Sequence, residues 1–183
     1  MRYIGIIQET YKEKTLEVLQ NHPYQLIEDI DGIGFKTADE LALKLGGSKE
    51  SPERLKAAVL YSVKRGCFDS GSTYMLYDEI KKAYHKNIGY IDESVFNEYL
   101  EILVDEGFVI QEGELYYDKE LYDSEEIISS FLKKINSYPE EHYDEKEVGR
   151  LLTNFQDKFG IEYSKKQKEA IDYFLKYPMM ILT

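Results

Sequence analysis

The sequence predicts a mainly α-helical chain in which a helix-hairpin-helix is followed by a winged-helix-like unit and then by further helices. Three observations support this order. Two glycines one residue apart separate two short segments of helical apolar periodicity near the N-terminus. Three more helical segments then precede two β-like segments around a glycine turn, and the remaining pattern is helical only. We place the boundaries at residues 1–48, 49–120 and 121–183.

The helix-hairpin-helix prediction depends on a glycine turn. Asn21 and Pro23 are typical cap and first-turn residues of a short helix. Gly32 and Gly34 permit a sharp turn and leave backbone N–H groups at the start of a second helix, where a phosphate can bind. That second helix has an apolar stripe and can end at Gly46; the stripe consists of Ala38, Leu41, Ala42 and Leu45. The alternative is that the glycines only close an αα-hairpin.

The middle of the chain predicts a helix, a short strand and a second helix. Ser51-Pro52 is a typical helix start, and Gly66 is expected to end that helix. Residues 73–76 form a short β-like run. A second helix is expected from about Asp78.

A third helix and a β-hairpin follow. Asp92 is expected to cap the helix and Gly107 to end it. Residues 108–111 and 114–117 flank Glu112-Gly113, which is the spacing of a two-residue hairpin. Three helices, a short strand and a terminal hairpin in this order predict a winged helix.

The predicted third helix is unsuited to a DNA groove. Residues 92–106 carry six acidic side chains and no lysine or arginine, so this helix would repel phosphates. We therefore favour a structural or protein-docking winged helix over one that contacts DNA bases. The alternative explanation for the acidic residues is a solvated helix face.

The last third of the chain predicts helices only. Asp123 with Glu126 resembles a capping box. The chain breaks around residues 138–142, after which Asp144 is expected to cap another helix that Gly160 ends.

Composition excludes several classes of protein. Three scattered histidines and one cysteine lack metal-ligand spacing, so we expect no metal site; they are His22, His85, His142 and Cys67. A single cysteine permits no internal disulfide, and no secretion signal or membrane segment is present, so we expect a cytoplasmic protein. No nucleophile with a base and an orienting group can be assembled, so we assign no catalytic residue.

The net charge of −12 opposes nonspecific DNA binding, because phosphates are attracted to basic surfaces. Any contact with DNA must therefore be local and weak. Basic side chains do occur close to the glycine turn in sequence, at Lys36, Lys44, Lys49 and Arg54.

The N-terminal segment resembles a known family. Asn21-His22-Pro23-Tyr24-Gln25-Leu26 and Asp31-Gly32-Ile33-Gly34-Phe35-Lys36-Thr37-Ala38-Asp39 are similar to the Asn-Pro-Tyr-x-Leu and Gly-Ile-Gly-Phe-x-x-Ala-Asp signature of RecD/TraA-type superfamily 1 DNA helicases. His22 is inserted relative to that pattern. The resemblance is to the amino-terminal accessory region of the stand-alone, exodeoxyribonuclease V α-subunit-like type. It implies DNA backbone contacts from Gly32, Ile33, Gly34, Lys36 and Thr37.

The C-terminal segment supports the same resemblance. Residues 164–170 and the apolar run 179–183 are similar to the Q motif and the first core strand of the RecA-like motor of superfamily 1 helicases. In that family a G-x-x-x-x-G-K-[ST] phosphate loop follows, and the 183 residues contain none. The resemblance therefore implies a fragment without its own cofactor, with ATP and Mg²⁺ bound by the parent protein.

Gln167 has two interpretations. By resemblance it is the Q-motif glutamine, whose amide can both donate to and accept from adenine. By local chemistry Ser164 and Gln167 have the spacing of a capping box, which needs no nucleotide. We expect the adenine role in the complete motor and the cap in the fragment.

We therefore expect an accessory region of an ATP-dependent 5′-to-3′ DNA helicase in recombination and repair, with direction and ATP use implied only by resemblance. Its expected partners are DNA, the rest of the helicase motor and other repair proteins, with no membrane. Two alternatives stay open. The chain is a protein-interaction module that docks the motor or a partner, or it is a stand-alone winged-helix regulator.

Overall fold

The computed structural model describes residues 3–90, 92–139 and 141–182. Mainly helical, it divides into two compact units, residues 1–123 and 124–183. Both predicted regions at 1–48 and 49–120 lie in the first unit.

The first unit begins with short helices around the glycine turn. Its helical segments are α1 (Ile4–Tyr11), a 3₁₀ turn (Lys12–Lys14), α2 (Thr15–Asn21), a second 3₁₀ turn (Pro23–Gln25), α3 (Leu26–Asp29) and α4 (Phe35–Lys44). Pro23 begins its turn as predicted. Asn21 instead ends α2 and caps nothing, because the inserted His22 separates it from Pro23. Gly46 follows α4 with φ +97°, in agreement with a glycine stop.

The long helix α5 (Pro52–Ser70) begins where the sequence predicts, since the Ser51 side chain accepts a hydrogen bond from the Arg54 N–H. Its predicted end at Gly66 is wrong. The helix continues to Ser70 and stops at Gly71, which has φ +67°. Gly66 serves packing instead: a β-carbon there would lie 1.9 Å from the sulfur of Met75.

A three-stranded antiparallel sheet and two helices complete the first unit. The elements are β1 (Tyr74–Leu76), α6 (Tyr77–Ile88), α7 (Glu93–Asp105), β2 (Val109–Glu112) and β3 (Leu115–Asp118). The strand order is β1-β3-β2, with Met75 opposite Tyr116 and Ile110 opposite Tyr117. As predicted, Asp92 caps α7 by accepting from the Ser94 N–H at 2.8 Å.

The hairpin turn lies one residue later than the sequence predicts. Glu112 pairs with Leu115, so the two turn residues are Gly113 and Glu114. Gly113 has φ +60°, a conformation that glycine adopts without the steric cost of a β-carbon. Glu112 therefore remains in β2.

The first unit has one hydrophobic core. Leu26, Phe35 and Ala38, from the segments flanking the glycine turn, are almost fully buried, and so are Val59 and Phe96 from α5 and α7. The helices on both sides of residue 48 therefore stabilise one another by burying apolar surface together.

Helix α8 (Lys119–Asn136) begins four residues before its predicted cap. Asp118 accepts a hydrogen bond from the Leu121 N–H at 3.2 Å. Asp123 lies inside the helix and pairs with Lys119 one turn earlier. The predicted capping box at Asp123 is therefore wrong, because the end of β3 already supplies the cap.

The second unit contains α9 (Glu145–Phe159) and α10 (Lys165–Lys176). Asp144 caps α9 as predicted, and Gly160 ends it with φ +63°. Neither helix contains a fully buried residue. Exposed apolar side chains include Phe155, which is 50% exposed, and Phe174, which is 70% exposed. Residues 179–182 form no strand; Thr183, the last residue of the predicted strand, lies outside the described residues.

Candidate nucleic-acid interface

The glycine turn joins α3 to α4 and has the sharp geometry that the sequence predicts. Gly32 has φ +85°, a conformation that favours glycine. Ile33 is 3% exposed and anchors the turn in the core. The Ile33 N–H donates to the carbonyl of Ile30 at 3.1 Å, which closes the turn.

The start of α4 presents three backbone donors. Gly34 is its extended N-cap residue, and its carbonyl accepts from the N–H groups of Thr37 and Ala38. The N–H groups of Gly34, Phe35 and Lys36 have no hydrogen-bond partner among the described residues. Unpaired N–H groups at a helix start attract anions, because their partial positive charges point the same way.

Lys36 and Thr37 stand beside these donors. Lys36 is exposed and forms no ion pair within the part of the chain that the structure describes. Thr37 is half-buried and lines a shallow depression between α1 and α4 with Ile7 and Leu41. Of the five residues expected at the DNA backbone, Gly32, Gly34, Lys36 and Thr37 are thus at least partly exposed at the turn, whereas the Ile33 side chain is buried in the core.

Three tyrosine hydroxyl groups form hydrogen bonds with the glycine turn and with the helices before and after it. The Tyr3 hydroxyl donates to the carbonyl of Gly32 at 3.1 Å. Tyr11 donates to Asp29 of α3 at 2.7 Å, and Tyr24 donates to Asp39 of α4 at 2.7 Å. Burial, together with the hydrogen bond to Asp39 and the negative charge of Asp39, raises the pKa of Tyr24 above its ordinary value. Tyr24 therefore keeps its proton and remains a donor.

Glycine is favoured at position 34 for a different reason from that at position 32. Its φ of −95° is accessible to any residue, but a β-carbon there would lie 3.0 Å from the hydroxyl oxygen of Tyr61 on α5. Gly32 is favoured by its backbone conformation, whereas Gly34 is favoured because the Tyr61 side chain approaches it closely.

A buried ion pair fixes α4 to α5. Arg54 Nε lies 2.7 Å from Asp39 Oδ1, and a second guanidinium nitrogen donates to Asp39 Oδ2 at 2.8 Å. Arg54 also donates to the carbonyl of Lys49 at 2.9 Å. Burial opposes ionisation of Asp39, but the hydrogen bonds from Arg54 and Tyr24 and the charge of Arg54 outweigh it and lower the pKa of this carboxyl.

Arg54 is therefore not a DNA ligand. The sequence places it among the candidate cations near the turn, but the residue is 5% exposed and its guanidinium is engaged by Asp39 and Lys49. Lys36, Lys44 and Lys49 are exposed. No local pattern in the sequence pairs Asp39 with Arg54, because the two residues lie 15 positions apart.

The negative charge is concentrated away from the glycine turn in the sequence. Residues 1–90 carry 13 basic and 13 acidic side chains, whereas residues 91–123 carry one basic and 11 acidic side chains. The segment that contains the glycine turn is thus electrically neutral overall. Most of the net charge of −12 belongs to α7, the hairpin and the start of α8.

Gln167 lies in the second unit and forms a complete capping box. Its side-chain oxygen accepts from the Ser164 N–H at 2.8 Å, and its own N–H donates to the Ser164 hydroxyl at 3.3 Å. Gln167 also borders a mainly apolar cavity of about 440 Å³, together with Tyr163, Phe174 and Met180.

No group of three or more histidine, cysteine, aspartate or glutamate side chains among the described residues is arranged to hold a metal ion. No described helix combines the length and the apolar character needed to cross a bilayer.

Comparison with known families agrees with this geometry for the N-terminal part of the chain. Residues 1–74 match the family model described as the ATP-dependent RecD2 DNA helicase HHH domain. The match includes the glycine turn, α4 and all of α5. It supports the helix-hairpin-helix expectation for these residues and their resemblance to a RecD2-type helicase N-terminal region.

Proposed function

We propose that this chain is an accessory region of an ATP-dependent 5′-to-3′ DNA helicase of the RecD/TraA type, acting in DNA recombination and repair, and that its glycine turn contacts the DNA backbone. The observation that carries the proposal is the row of unpaired N–H groups at Gly34, Phe35 and Lys36 beside the exposed Lys36 side chain. Backbone donors and one lysine bind phosphates without selecting a base sequence. The family match over residues 1–74 supports the same role.

Residues 49–120 are proposed to form a winged helix. The element order from α5 to β3 and the strand order β1-β3-β2 support this assignment. In that arrangement α7 would be the third helix and the β2–β3 hairpin the wing.

Binding to DNA is expected to be weak and salt-sensitive. Few phosphate contacts are available, because Lys36 is the exposed cation at the turn itself, and each contact contributes to the salt dependence of affinity. The 11 acidic residues in 91–123 oppose broader contact.

Fluorescence anisotropy with a short labelled DNA duplex at low salt tests the interface. Lys36→Glu should weaken binding by about tenfold, because reversing the charge replaces attraction of phosphate by repulsion. The matched control is Lys82→Glu, which makes the same charge change on α6 at an exposed lysine without an ion pair among the described residues.

Equal weakening by Lys36→Glu and Lys82→Glu would mean that DNA responds only to total charge. Full affinity in Lys36→Glu would mean that the glycine turn is purely structural. Either result would remove the turn from the proposed interface.

The rest of a helicase motor is the proposed partner of the second unit. Helices α9 and α10 carry exposed apolar side chains, such as Phe155 and Phe174. These side chains support contact with another protein surface, because large apolar surfaces usually mark such contacts. ATP and Mg²⁺ are assigned to that motor, since the 183 residues contain no phosphate loop. There Gln167 is proposed to leave its cap and bind adenine.

A second candidate function is protein docking through the acidic part of the first unit. It is favoured by the concentration of charge in residues 91–123. On α7, Glu98, Glu101 and Asp105 are exposed and have no ion-pair partner among the described residues.

A further inference from the structure

A groove lies where the start of α6, helix α7 and the β2–β3 hairpin meet. It consists of two adjoining depressions of about 320 and 510 Å³. Tyr77, Gln111 and Tyr116 line both depressions, so they form the shared floor. We call this feature the hairpin groove.

The charged residues along the hairpin groove are all acidic. Its described lining includes no lysine, arginine or histidine, and its four carboxylates are Asp78, Glu79, Glu101 and Glu114. Glu79 is engaged, because it accepts a hydrogen bond from the Leu76 N–H at 2.9 Å. The other three are exposed and have no hydrogen bond or ion pair among the described residues.

The two tyrosines of the floor are held in place by their hydroxyl groups. The Tyr77 oxygen lies 2.6 Å from Asn97 Oδ1 and 3.0 Å from Glu93 Oε1. The Tyr116 oxygen lies 3.1 Å from Gln111 Nε2. Both side chains are half-buried. Fixed aromatic rings beside carboxylates favour cations, because the face of the ring is electrically negative.

The molecule already contains one example of this chemistry beside the groove. Lys81 Nζ lies 5.9 Å from the centre of the Tyr77 ring and 2.6 Å from Glu93 Oε1. An aromatic ring and a carboxylate of the same region thus hold an ammonium group together. The groove offers the same pair of features at Tyr116 with Glu101 and Glu114, where no cation of the described chain is present.

We propose that the hairpin groove binds a lysine- or arginine-rich extended segment of a partner polypeptide. This inference deepens the second candidate function, protein docking, and rests on it. A polypeptide fits better than a nucleic acid because the carboxylates attract basic side chains and repel phosphates.

The test is fluorescence anisotropy with a labelled arginine-glycine repeat peptide at near-physiological salt. A peptide of the same length with citrulline in place of arginine is the ligand control, since citrulline keeps the shape and removes the charge. We expect the arginine peptide to bind and the citrulline peptide not to bind. Glu101→Lys and Glu114→Lys should each weaken binding by about tenfold.

Glu98→Lys is the matched protein control. It makes the same charge change on α7, at an exposed residue outside the groove lining. If Glu98→Lys weakens binding as much as Glu101→Lys, the attraction is diffuse and the groove is not a site. Failure of the wild-type protein to bind the arginine peptide also overturns the proposal.

Two further measurements separate this proposal from the DNA interface. Lys36→Glu should leave peptide binding unchanged, and Glu101→Lys should leave DNA binding unchanged or stronger. Loss of peptide binding in Lys36→Glu would contradict a separate groove site. Thermal melting of each variant establishes that it is folded.

Discussion

The hydroxyl oxygen of Tyr61 lies only 3.0 Å from the position that a β-carbon on Gly34 would occupy. Tyr61 also packs against Phe35, with ring centres 5.9 Å apart. Helix α5 therefore packs directly against the glycine turn, and a side chain at residue 34 would require the Tyr61 side chain to move.

Gly34→Val should destabilise the protein by about 1 to 3 kcal/mol, because two methyl groups cannot fit beside Tyr61 without displacing it. Gly34→Ala should cost less, since one methyl group requires a small shift of the Tyr61 side chain. Urea unfolding measures both. DNA affinity should also fall further in Gly34→Val than in Lys36→Ala, which leaves the turn intact.

The Tyr61→Phe background provides the control for Gly34. The Tyr61 hydroxyl has no hydrogen-bond partner among the described residues, so removing it should open space at little cost. Gly34→Ala should then lose less stability than in the wild type. An equal loss in both backgrounds would show that contact with Tyr61 is not the reason for glycine at this position.

Gly66→Ala should destabilise the protein. This is the opposite of the effect expected from helix propensity, which favours alanine over glycine by about 1 kcal/mol. The added carbon would lie 1.9 Å from the sulfur of Met75, so the buried Met75 side chain would have to leave its place in the core. Gly5→Ala in α1 is the matched control, since nothing lies within 4 Å of its β-carbon position. Thermal melting should show a lower midpoint for Gly66→Ala and an unchanged or higher one for Gly5→Ala.

Asp39→Asn should cost about 3 to 5 kcal/mol at neutral pH, because it leaves the Arg54 charge buried without its partner. The free energy of unfolding, measured by urea titration, should show this. In the Arg54→Met background the same change should cost much less, since no buried cation then remains. Equal costs in both backgrounds would contradict a coupled pair.

The same pair predicts a pH dependence. The pKa of Asp39 is lower in the folded protein than its usual 3.8, so the folded state binds this proton more weakly than the unfolded state. The stabilisation is therefore complete above about pH 4 and is lost as the pH falls through the lower, folded pKa. The difference between wild type and Asp39→Asn should shrink in that range and stay constant above it.

Asp118 should make the stability depend on pH with the opposite sign to Asp39. Its side chain is buried, one carboxylate oxygen has no hydrogen-bond partner among the described residues, and burial raises its pKa. Because the folded state binds this proton more tightly, stability from this group is complete below the unfolded pKa and is lost as the pH rises through the folded pKa. Asp118→Asn removes the buried charge and retains an oxygen for the Leu121 N–H.

We therefore expect Asp118→Asn to raise the unfolding free energy at neutral pH by on the order of 1 kcal/mol relative to wild type. The gain should decrease as the pH is lowered and Asp118 becomes protonated. Urea unfolding at several pH values measures it. A gain that does not change with pH would mean that the buried charge is not the cause.

Local signals in the sequence determined most of the helix boundaries. Ser51, Asp92, Asp144 and the Ser164–Gln167 pair cap helices as predicted, because a cap bonds to backbone only two or three residues away. The geometry of the glycine turn was also predictable. This is because the turn depends on residues that are close together in the sequence, namely Gly32 and the apolar residues on either side of it.

Only the tertiary structure decided which residues meet across elements. Glycine is a residue type that often ends helices, but Gly66 instead makes room for Met75. Arginine is a residue type that often binds DNA, but Arg54 is buried against Asp39. The turn of the hairpin moved by one residue because the pairing of β2 with β3 sets its register. These outcomes depend on contacts between residues that are distant in the sequence or lie on opposite sides of a turn. Burial and strand pairing arise only when the chain packs, so no local sequence pattern contains them.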